Sequence, residues 1–114
     1  MQPDEFVESI KEAVWKSAVK SVEANLIDPP GRFPQKNWVD MSNWYKSLAS
    51  DDKKMLLQVL DKTAFMAVFG FLCVLDNVRT IEEYGPKGEF KLYFEKNGEK
   101  SLLTIPNDPL HEML

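Results

Sequence analysis

From Ala64 to Leu75 the chain reads AFMAVFGFLCVL, twelve consecutive residues without a polar side chain. A helix that is apolar on every side must be covered on every side. In a chain of 114 residues, such a segment is either the central element of the fold or the seam of a dimer. Met55, Leu56, Val59 and Leu60 precede it at helical spacing. The pattern therefore predicts one long helix from about Ser50 to Leu75, amphipathic at first and then apolar all round. Ser50 is placed as its N-cap. Asp51 and Asp52 suit the positive end of the helix dipole, and Asn77 suits a left-handed C-cap. Gly70 weakens the helix by about 1 kcal/mol relative to Ala and is expected to mark a close approach by another backbone. This helix is expected to be the most buried element. A homodimer is expected wherever one protomer fails to surround it.

An earlier helix is predicted from about Pro3 to Asn25. Phe6, Ile10, Val14, Ala18 and Val22 recur every four residues, and Val7, Trp15, Val19 and Leu26 widen the stripe. Asp28-Pro29-Pro30-Gly31 ends it, because proline cannot continue a helix and pushes its predecessor toward extended geometry. The loop beyond carries Phe33 and Trp38 among turn residues. A short helix capped by Asp40 or Ser42 then covers Trp44, Tyr45 and Leu48. Beyond Val78 the composition shifts. Glu89 to Glu95 alternates with period two, and Asn97-Gly98 signals a type I′ hairpin. That turn sets Glu95 opposite Lys100, Tyr93 opposite Leu102, Leu92 opposite Leu103 and Phe90 opposite Ile105. Phe90, Leu92, Phe94, Leu103 and Ile105 then share a face directed at the helices. Val78 to Tyr84 can add a third strand through Gly85-Pro86-Lys87-Gly88. In the tail, Asp108 can cap a final turn with Pro109 at its first position. The expected fold is a single α+β domain over residues 1–114. Two long helices and a short one pack against a small antiparallel sheet of two or three strands.

Composition narrows the function. The net charge of −4 and the scattered, acid-paired lysines argue against nucleic acid, which demands a basic patch. The apolar run is about eight residues short of the ~20 a bilayer-crossing helix requires. The N-terminus lacks the basic start and apolar core of a signal peptide. A soluble, cytoplasmic protein with no nucleic-acid or membrane partner is the expectation. The single cysteine, Cys73, excludes an intrachain disulfide and fits a reducing compartment.

Candidate chemistry is sparse. Cys73 lies among apolar residues, which raise a thiol pKa and hide the sulfur. With one histidine, His111, a site built from His and Cys falls short of four zinc ligands. No phosphate-binding glycine loop or EF-hand spacing is present. Asp51-Asp52 and Glu82-Glu83 point their neighbours apart and make no metal cage. Asp76 sits beside a helix C-terminus, where the dipole disfavours a carboxylate, so it needs a partner, and Arg79 is the nearest cation in sequence. The remaining feature is the aromatic set Phe33, Trp38, Trp44 and Tyr45 around a proline-rich loop, residue types that dominate interaction hot spots.

Phe69-Gly70-Phe71-Leu72-Cys73-Val74-Leu75-Asp76-Asn77-Val78-Arg79, together with Leu110-His111-Glu112, resembles a family of small bacterial proteins that forms a domain of unknown function. The resemblance covers roughly the second half of the chain. It implies a bacterial source and transfers no activity, cofactor or site.

The sequence therefore points to a non-catalytic protein-interaction module, of the kind found in immunity proteins or accessory subunits, with no cofactor, no metal and no catalytic residue. Phe33, Trp38, Trp44 and Tyr45 are its candidate contact residues, and a protein partner or a second copy its expected occupant. Two alternatives stand beside it. One is a small-ligand binder with a pocket between the aromatic loop and the helices. The other is an enzyme using Asp76 and His111.

Overall fold

The computed structural model describes residues 1–114. Pro3 opens a continuous helical rod made of α1 (Pro3–Ile10), a π-helical stretch (Lys11–Lys16) and α2 (Ser17–Ile27). A π turn inserts extra residues into the helical repeat and so rotates the helix beyond it. Here it moves the inward stripe. Before the π stretch Pro3, Val7 and Ile10 face inward, within it Trp15 does, and after it Val19, Val22 and Leu26 do. Val14, which an uninterrupted α-helix would bury, is left exposed. The rod ends two residues beyond the expected Asn25. Its C-cap Asp28 is extended, with φ −140° and ψ 100°, as a residue before proline must be.

Helix α3 (Lys36–Ser47) begins before both expected caps. Asp40 is instead bound by Lys36, and Ser42 turns inward to donate its hydroxyl to the Leu26 carbonyl at 2.6 Å. That buried bond and the buried Tyr45 fasten α3 against α2. Helix α4 runs Ser50–Leu75 with Ala49, not Ser50, at its N-cap. Its C-terminus closes as a Schellman motif. Asn77 takes φ 63°, Val78 N–H donates to Cys73 C=O at 3.0 Å, and Asn77 N–H donates to Val74 C=O at 3.1 Å. Gly70 admits a side chain rather than a backbone. The Arg79 guanidinium lies where a Cβ would project, so the chain after the Schellman turn folds back over the helix it has just left.

The hairpin forms in the expected register. Strands β1 (Tyr93–Lys96) and β2 (Glu99–Leu102) pair Tyr93 with Leu102, Phe94 with Ser101 and Glu95 with Lys100. Asn97 and Gly98 both have positive φ, 53° and 78°, as a type I′ turn requires. Leu103 N–H donates to Leu92 C=O at 2.8 Å. The ladder goes no further. Ile105 bridges Asp108 rather than Phe90, and the Asn77 side chain takes both backbone groups of Phe90. The sheet therefore has two strands. The third strand expected at Val78–Tyr84 is absent. Val78, Ile81 and Tyr84 are exposed in the loop instead. Of the five residues expected to face the helices, Leu103 alone is buried, while Phe90 and Ile105 are exposed.

The architecture is α+β, with its core at the crossing of α1 and α4. Val7, Val68, Leu72 and Leu110 form that core, with Phe6, Ile10, Trp15, Leu75, Met113 and Leu114 packed around it. A row of rings runs along α4 from Trp15 through Phe65 and Phe69 to His111. Trp15 also donates its indole N–H to Asp61 at 3.0 Å, which explains an acid in the middle of the helix. Helix α4 is not the most buried element. By length and composition it could cross a membrane, yet of its most apolar 18 residues only 17% are buried. Met55, Val59, Met66 and Phe71 face outward. The reason is a shortage of covering elements: the hairpin adds no residue to the core around α4, and only the π stretch, α2 and the C-terminal tail lie close against it.

Candidate functional site

Three places in the molecule carry the residues of interest. The first is the pair Asp76 and His111, which the fold brings together. The Asp76 carboxylate accepts His111 Nδ1–H at 2.7 Å and His111 N–H at 2.8 Å through Oδ2, and Leu110 N–H at 3.0 Å through Oδ1. Its side chain is only 3% exposed. The partner expected from sequence, Arg79, is not used. Asp76 instead supplies the N-terminal cap of the 3-10 helix Leu110–Met113, a task expected of Asp108. A carboxylate at the unfavourable end of α4 is thus stabilised by the free N–H groups of another helix start. Asp76 and His111 border an open cleft of about 310 Å³ whose other acids are Glu89 and Glu112. Thr104 is the one hydroxyl lining that cleft, and it is engaged by the Leu92 N–H at 3.1 Å. The arrangement can hold a proton or orient an imidazole. No group of three metal-ligating side chains gathers anywhere in the chain. The evident work of the pair is to staple the tail onto α4.

The second place is the aromatic set. Phe33 is 87% exposed and stacked beneath the Arg32 guanidinium at 5.8 Å, and Trp44 is 52% exposed. Trp38 is half-buried, and Tyr45 is buried with the Lys53 ammonium over its ring at 5.4 Å. None of the four rings stacks on another, and none lines any of the four main clefts. The set therefore divides into a core seal, Tyr45, and surface rings. Tyr45→Ala should lower the unfolding free energy by about 3 kcal/mol, and Trp44→Ala by less than about 1 kcal/mol. Parallel urea titrations check both. Equal losses would show that Trp44 also seals the core.

The third place is one that the sequence pattern did not single out as a site. Phe6, Ile10 and Val14 of the N-terminal rod face Ala67, Phe71 and Leu75 of α4 across a groove of about 300 Å³, floored by Val68 and Leu72. All eight lining residues are apolar. Each wall is a row of residues four apart, the ridge by which helices normally interdigitate. Here the two ridges stand open to solvent, with Phe71 63% exposed. The signal was present in both spacings. What concealed the groove was the π stretch, which swings Val14 out of the core and onto its rim. Among known proteins, no family model, no curated protein and no solved structure gives a significant match to this chain.

Proposed function

We propose that the protein is a non-catalytic interaction module, and that its working surface is the apolar face shared by α1, the π stretch and α4. The observation that carries this reading is the groove between Phe6, Ile10 and Val14 on one side and Ala67, Phe71 and Leu75 on the other, without a polar lining residue. Contiguous exposed apolar surface of this kind marks sites that other molecules cover. Phe71 at the rim is an anchor of the hot-spot type, a large ring beside a preformed depression. The surface rings Phe33 and Trp44 lie outside the groove and take a secondary place in this reading.

The reading requires that the protomer fold on its own core, Val7, Val68, Leu72 and Leu110, and carry Phe71 as a contact residue. Phe71→Glu should therefore leave a helical, cooperatively melting protein, because an exposed glutamate is readily solvated. Circular dichroism and a thermal scan check this. A variant without helical signal or cooperative transition would show that Phe71 belongs to the core, and the reading would fail.

A further inference from the structure

We infer that the occupant of the groove is a second copy of this chain. The inference rests on the interaction reading above and adds the identity of the partner. Its first support is area. The protomer exposes 8311 Å², against about 6,400 Å² expected for a folded monomer of its 13.1 kDa mass. The excess of about 1,900 Å² per chain, shared between this face and the exposed stretch from residue 77 to 91, leaves room for the ~800 Å² that one side of a standard interface buries. The radius of gyration agrees, at 18.4 Å where about 13 Å is usual for this length.

Chemistry is the second support. At about 100° per residue, Met55, Val59 and Met66 occupy one narrow stripe of α4. Ala67 and Phe71 carry that stripe round to the groove. Lys62 borders this stripe beside Met55 and Met66, and the Arg79 guanidinium lies over Gly70 between Met66 and Phe71, whereas the groove itself carries no charged lining residue. A groove lined by apolar residues alone, with an aromatic rim, resembles a domain core cut in half, the character of a homodimer seam. Ala67, exposed between Met66 and Phe71, is small enough to let two α4 helices approach. A twofold arrangement centred there sets each Phe71 ridge beside the partner's groove, so that one patch serves as both surfaces. A bilayer is the poorer occupant. Asp61 and Lys62 interrupt α4, and the uncharged stretch from Thr63 to Leu75 rises only about 20 Å, short of the ~30 Å hydrocarbon thickness.

Sedimentation equilibrium of the full chain at micromolar concentration tests this, with Nile red uptake read in parallel. The wild type should sediment at twice 13.1 kDa with little dye bound. Phe71→Glu and Val14→Glu, on opposite walls, should each weaken self-association by at least about 100-fold. Phe33→Ser, an exposed ring outside the groove, should change nothing. A wild-type monomer that binds dye would overturn the second copy and leave the interaction reading standing. A wild-type monomer that binds no dye would overturn both. A monomer that floats with phosphatidylglycerol vesicles would replace the second copy with a lipid surface. A dimer broken by Phe33→Ser and untouched by both glutamate variants would move the interface to the proline-rich loop.

Discussion

Asp76→Ala should lower the unfolding free energy by about 4 kcal/mol and free the C-terminal residues first. The carboxylate is nearly inaccessible and accepts hydrogen bonds from Leu110 N–H, His111 N–H and His111 Nδ1–H. Bonds to a charged acceptor contribute roughly 1.5–3 kcal/mol each, with a sum below full additivity because the donors share one carboxylate. Removing the acceptor also leaves donors in a partly buried place without partners, which costs more than the bonds contributed. The consequence spreads, because Leu110 is 0% exposed and belongs to the central cluster. Losing the staple loosens the hold on Leu110, Met113 and Leu114 against α1 and α4 together. Hydrogen exchange at the Leu110 and His111 amides, read beside urea denaturation, checks the order of events. Asp76→Asn should fall between, since one amide oxygen cannot serve all three donors. If exchange at these two amides is unchanged in Asp76→Ala, the staple does not hold the tail.

Leu72→Ala should cost about 4 kcal/mol, near the upper part of the range for buried leucine. Leu72 is 2% exposed and joins Val7, Val68 and Leu110 at the crossing of α1 and α4. Around it α1, α4 and the tail are all fixed, so the site can collapse little and the cavity remains. Its neighbour supplies the contrast. From the unbroken apolar run, Phe71 would be read as buried, with a loss of roughly 3–5 kcal/mol on truncation to alanine. Because Phe71 is largely exposed, Phe71→Ala should change protomer stability by less than about 1 kcal/mol. Denaturation below the concentration of self-association measures both. Similar losses for the two variants would mean that the groove is closed in solution within a single chain.

The hairpin shows how far local chemistry reaches. Asn97-Gly98 satisfies the positive φ of both turn positions, and the side-chain period of two then leaves one register for Tyr93 to Lys96 against Glu99 to Leu102. The Schellman end of α4 was legible for the same reason, since Asn77 tolerates the left-handed conformation that the motif needs. Burial of Cys73 came from its apolar neighbours. The end of the hairpin ladder before Phe90 and Ile105 was not legible, because it depends on a clamp between Asn77 and Phe90, thirteen residues apart. Nor was the partner of Asp76, which lies thirty-five residues away at His111, whereas Arg79 is near in sequence and turns the other way over Gly70.

By itself, the sequence determined the two long helices to within two residues at their ends, and the hairpin with its register. These rest on short-range terms: backbone sterics at Asn-Gly and proline, and the period of apolar residues along one element. Only the tertiary structure decided which side of α4 goes uncovered, and that Val14 and Phe71 are rim residues while Leu72 is core. That choice depends on the rotation the π stretch adds between α1 and α2, and on where Asp76 pins the tail. Both are long-range outcomes of packing. Adjacent residues of a helix differ by about 100° in direction, so Phe71 and Leu72, alike in local pattern, are parted between solvent and core by the placement of their neighbours.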